Sequence, residues 1–113
     1  TMNKKKVLIS PPMRGLSTEQ IKANREQAVE TVTANRCEVL DSIFDFDDIE
    51  NVKNKPLYYL AKSIILIAEE ADAVYFMKGW EQARGCVIEH AACLAYGIPI
   101  YYEVQPEQLV LTK

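Results

Sequence analysis

No apolar stretch in this sequence approaches the roughly 20 residues that a membrane span needs, and no signal-peptide apolar region follows the basic residues near its start. A soluble, cytoplasmic protein is expected. Histidine is down to one residue, His90, and cysteine to three, Cys37, Cys86 and Cys93, with no CxxC pair. That pattern suggests neither a disulfide framework nor a zinc site, and the carboxylates are dispersed, so no metal and no cofactor are expected. Basic residues are not in excess: 13 Lys and Arg stand against 16 Asp and Glu, a formal net charge of -3. Binding a nucleic-acid polymer through its phosphates requires a basic face, so polymers and membranes are not expected as partners. The one sustained basic run, Lys4-Lys5-Lys6, reads as a solvated strand entrance. Glycine is also scarce, and neither GxGxxG nor GxxxxGK[ST] occurs, which removes the dinucleotide fingerprint and the P-loop.

What remains is 113 residues, 49% of them hydrophobic, enough for one core and too few for two. A single domain over 2–113 is expected, with Thr1 left aside. Val7-Leu8-Ile9 ends in Ser10-Pro11-Pro12, a strand closed by prolines that continue neither ladder nor helix. Ser17 stands three residues before Gln20, a capping-box spacing, and Ile21, Ala28, Val29 and Val32 follow at helical intervals, giving a helix over 18–34. Cys37 to Leu40 reads as a brief strand, followed by an acidic loop through Asp45, Asp47, Asp48 and Glu50. Pro56 suits a first helical turn, and Leu57, Leu60, Ala61, Ile64, Ile65 and Ala68 form the stripe of a second helix. Asp72 to Phe76 is a third strand, 81–96 a third helix closed by Gly97, and Ile98 to Tyr102 a fourth strand. The tail 106–111 predicts a short helix or a fifth strand.

Strands alternating with helices imply an α/β fold: a doubly wound, Rossmann or flavodoxin-like domain with a parallel sheet of four or five strands in the order 2-1-3-4. Ligands of such sheets bind outside the carboxyl ends of the strands. The functional loops are therefore expected at 10–17 and 77–85. In the first, Ser10, Pro12, Met13, Arg14 and Gly15 are candidate substrate contacts, and Arg14 combines a guanidinium with nearby helix-start amides, a good phosphate site. In the second, Gly79, Trp80 and Gly85 precede Glu89. Gly85 and Glu89 are four apart and share a helix face with Ala92, Cys93 and Tyr96. A glycine one turn before a carboxylate leaves a substrate room to approach it, and the helix start is expected to favour the ionised form.

Leu8-Ile9-Ser10-Pro11-Pro12-Met13-Arg14-Gly15, Ala71-Asp72-Ala73-Val74-Tyr75, and Gly79-Trp80-Glu81-Gln82-Ala83-Arg84-Gly85-Cys86-Val87-Ile88-Glu89, followed by Ala92 and Gly97-Ile98-Pro99-Ile100, together resemble the nucleoside 2-deoxyribosyltransferase superfamily. The likeness is closest to its compact branch of uncharacterised phage and bacterial proteins. It implies cleavage or transfer of the N-glycosidic bond of a (deoxy)nucleoside or nucleotide, with Glu89 as nucleophile and Asp72 as the acid that helps the base leave. Arg14 resembles the phosphate-contacting arginine of the nucleotide hydrolases. The chemistry is coherent, since base departure leaves an oxocarbenium-like sugar that a carboxylate stabilises and captures. The same likeness implies a homo-oligomer.

A non-catalytic nucleotide-binding or sensor module on the same fold is the alternative. It is favoured by Leu8, which stands where the active enzymes carry a tyrosine that orients the glutamate, and by Ala83, which replaces an expected serine or aspartate. Trp80 reads equally as a platform for a base and as a subunit contact. His90 follows Glu89 directly and so points about 100° away from it, as an interface or surface residue.

Overall fold

The computed structural model describes residues 4–13, 15–40 and 50–103. Arg14, most of the acidic loop and the expected element at 106–111 lie outside the described residues. The chain runs β1 (Lys6–Ser10), α1 (Thr18–Ala34), β2 (Glu38–Val39), α2 (Lys55–Glu70), β3 (Ala73–Phe76), a 3-10 turn (Trp80–Gln82), α3 (Arg84–Tyr96) and β4 (Ile100–Tyr102). The strands form one four-stranded parallel sheet in the order β2-β1-β3-β4, the expected fold.

Local chemistry accounts for the helix ends. Ser17 and Gln20 form the capping box of α1. Asn54 accepts the Leu57 N–H at 3.0 Å, and Pro56 sits in the first turn of α2. Gly97 closes α3 in the left-handed region, at φ 72°.

Side-chain alternation along the strands divides the core in two. Val7, Ile9, Ala73, Tyr75 and Met77 pack on Ala28 and Val32 of α1. Leu8, Val74 and Phe76 face the opposite way, onto Ile67 of α2 and Cys86 and Cys93 of α3. Helices therefore cover both faces. Ser10 has the parity of Leu8, so its side chain belongs to the α2 and α3 side.

Three details differ from the sequence reading. Helix α3 begins at Arg84 rather than at Glu81, because Gly79 turns the chain at φ 93°, a 3-10 turn follows, and Ala83 is extended. Strand β4 begins at Ile100 rather than Ile98: Pro99 has no N–H for the ladder, although its carbonyl accepts from Val74. The stripe of α2 is rotated relative to the expectation. Ile67 is its buried residue, whereas Leu57 and Ile65 are more than half exposed.

Candidate functional site

In the order β2-β1-β3-β4 the chain leaves β1 toward one edge and later returns to its other side, so the switch point lies between the carboxyl ends of β1 and β3. Those ends are Ser10 and Phe76, register partners in the sheet. Beside them opens a cleft of about 650 Å³, walled by Pro11 and Met13 after β1, by Asn54, Pro56, Leu57 and Leu60 at the start of α2, and by Ala83 to Cys86 and Ile88 at the start of α3. The volume is that of a small-molecule site.

Glu89 lies behind this cleft rather than on its wall. Positions 86, 89 and 93 form the inward stripe of α3, so the carboxylate sits between two thiols and is only 7% exposed. The Ser10 hydroxyl donates to Glu89 Oε1 at 2.5 Å, and the Ser63 hydroxyl of α2 acts with it in lowering the carboxyl pKa. Burial pushes the Glu89 carboxyl above its ordinary range, and the two serine hydroxyls partly oppose that shift. The expectation of a carboxyl favoured in its ionised form is thus not met: burial raises its pKa. The thiols move the same way: burial raises Cys86, with Ser10 lowering it and the Glu89 charge adding to the rise. Burial and then Glu89 lift Cys93 to about 11. Both thiols stay protonated at neutral pH, which argues against a cysteine nucleophile.

The other expected site residues separate into distinct places. Met13 and Gly85 line the cleft. Ser10 is 98% removed from solvent by its place under Glu89, and its contact is with the carboxylate. Pro12 and Gly79 are neighbours: a Cβ added at Gly79 would stand 3.6 Å from the Pro12 ring. Gly15 is exposed at φ 80° with open space around it, so it serves the turn. Tyr96 is 83% exposed and is not on the inward face of α3. Trp80 is drawn away from the cleft, stacked on His90 and tilted against Phe76.

Asp72 is not brought to Glu89. It precedes β3 at the amino edge of the sheet, where its Oδ2 accepts the Lys6 backbone N–H at 2.7 Å and its own N–H bonds the Lys6 carbonyl. Four strand residues separate it from the carboxyl edge, about 13 Å at 3.3 Å per residue. It pins the entries of β1 and β3 together, away from the carboxyl edge at which the resemblance implies an acid for the leaving base.

Ser63, Asn54 and Cys86 escaped the sequence reading. The signal for Asn54 was its position before Pro56 at a helix start; for Cys86 it was the 86-89-93 spacing. Ser63 carried none, being one serine in an apolar helix. Among the described residues no group of three or more His, Cys, Asp or Glu could hold a metal ion, and no helix is long and apolar enough to cross a membrane.

The fold and the cleft define a Rossmann-like α/β domain with a small-molecule-sized site at the switch point of its sheet. Residues 5–102 match the family model described as the domain of unknown function DUF4406, and the chain belongs to that family. No curated protein and no solved structure matches it.

Proposed function

We infer that this is a cytoplasmic protein that binds a nucleoside or nucleotide in the cleft and breaks or transfers its N-glycosidic bond through Glu89. The observation that carries the reading is a buried carboxylate, held by a serine hydroxyl at the carboxyl end of β1, on the helix whose residues Gly85, Cys86 and Ile88 wall a cleft of about 650 Å³. The motif resemblance to the nucleoside 2-deoxyribosyltransferases supports the same choice of ligand. In the reaction the Glu89 carboxylate attacks the anomeric carbon as the bond to the base nitrogen breaks, giving a glycosyl ester. The base takes its proton from water in the open cleft, since Asp72 is at the other edge of the sheet. Water or a second base then attacks the same carbon and frees Glu89. The nucleophile must be ionised, so turnover rises with pH through the elevated Glu89 pKa.

One observation favours the alternative of a nucleotide-binding module without chemistry. Glu89 is almost wholly covered and its neutral form is favoured by burial. Free-base release from deoxynucleosides and their monophosphates, measured beside binding of the same ligands, separates the two. Release by the wild type and loss of several orders of magnitude in Glu89→Gln establishes the enzyme; tight binding without release establishes the module. Assembly into a homo-oligomer belongs to the same proposal, supported by the apolar side chains of Val87 and Leu94, exposed on α3.

A further inference from the structure

We propose that Ser10 is a positioning residue for Glu89, with Ser63 as its helper, and not a contact for the ligand. Its catalytic meaning rests on the reading of Glu89 above; the contact itself does not. Ser10 is 2% exposed and its Oγ stands 2.5 Å from Glu89 Oε1. Strand parity turns that hydroxyl toward α3, while the residues that follow it, Pro11 and Met13, reach the cleft. A phenol from β1 is not available to hold the carboxylate, because position 8 is a leucine sealed in the core. The groups facing Glu89 are Ser10 from β1, Ser63 from α2, and Cys86 and Cys93 from α3. Among the described residues Glu89 has no ion-pair partner. The Ser10 hydroxyl is therefore what fixes the carboxylate, and Ser63 adds to the stabilisation of its charge.

The test is the titration of the Glu89 carboxyl carbon by NMR in the intact chain, its resonance assigned by its absence in Glu89→Gln. Ser10→Ala raises the midpoint by about one pH unit or more, the equivalent of one hydrogen bond to a charged group, and Ser10→Thr returns it toward the wild-type value. Ser63→Ala shifts it in the same direction. If Ser10→Ala does not fold, Ser10→Cys, of similar size and a poorer donor, must still raise the midpoint. An unmoved midpoint in a folded Ser10 variant overturns the proposal. Where the wild type turns over, Ser10→Ala lowers kcat and leaves KM in place; a raised KM with unchanged kcat makes Ser10 a ligand contact and also overturns it. A wild type without turnover refutes the enzymatic reading alone, and the titration still decides the role of Ser10.

Discussion

The indole of Trp80 lies on the imidazole of His90, ring centroids 4.0 Å apart and planes 23° from parallel. Tyr102 completes the group, its hydroxyl 2.6 Å from His90 Nε2, and Phe76 packs edge-on beneath His90. Since Trp80 is the chain's one tryptophan, its emission reports on this stack alone. Removing the imidazole exposes one indole face to water, so the emission maximum is expected to move to longer wavelength in His90→Ala relative to wild type. An unchanged maximum in the variant would show that the stack does not persist in solution.

Leu8 illustrates how packing decides a position that motif reading treats as chemical. It is 1% exposed in the cluster with Val74, Phe76 and Cys93. Leu8→Ala should cost about 2–5 kcal/mol in urea denaturation. Leu8→Tyr, which supplies the phenol expected by resemblance, should cost about 1–3 kcal/mol through overpacking. A Leu8→Tyr protein as stable as wild type would reveal room beside Glu89 for that ring.

The sheet was legible because each strand announced itself twice, by an apolar run and by the residue that stopped it. Pro11 ended β1 and Gly97 ended α3 ahead of β4, and alternation with helices then implied parallel order. The site was half legible. Glu89 stood out by its spacing from Gly85, yet spacing on one helix carries no information about the strand it meets, so the Ser10 contact across 79 positions was invisible. The role of Asp72 came from the resemblance and not from spacing, and in the fold the whole of β3 lies between it and the carboxyl edge. Trp80 sat in a loop expected to face the ligand, and only the ring geometry with His90 shows it turned inward.

The outer face of α3 leads to a prediction about assembly. Val87 is 42% and Leu94 65% exposed on that helix, and the exposed charge there is Arg84 in its first turn. An apolar patch of this kind can meet its own copy across a two-fold axis. Light scattering should report a dimer or a larger closed assembly for wild type and a smaller species for Leu94→Lys. A wild-type monomer at micromolar concentration would contradict this.

Gly85 separates stability from binding. A Cβ there would meet Leu60 Cδ1 at 3.8 Å, ordinary contact, and the backbone is helical. Gly85→Ala should therefore stabilise the fold by about 0.4–1 kcal/mol through the unfolded chain. Both Gly85 and Leu60 are cleft walls, so the same methyl narrows the site, and nucleoside affinity measured by calorimetry should fall. A variant with higher stability and unchanged affinity would place the ligand elsewhere.

Glu89 should show the opposing demands of folding and chemistry as a function of pH. Its carboxyl group is raised from the ordinary value of 4.5, chiefly by burial, so the folded protein holds that proton more tightly than the unfolded chain. Stability from this group is then fully present below about pH 4.5 and is lost as pH rises through the folded pKa. Glu89→Gln keeps the shape and an oxygen acceptor for Ser10 but cannot ionise. Its melting temperature should match wild type near pH 4.5 and exceed it above the folded pKa, with the gap opening between those limits. The ionised form that weakens the fold is the form a nucleophile needs, so base release by wild type should appear over the same interval in which its stability relative to Glu89→Gln declines. A Glu89→Gln protein less stable than wild type at neutral pH would show that the Ser10 and Ser63 hydrogen bonds outweigh desolvation, and that Glu89 is held ionised in the fold.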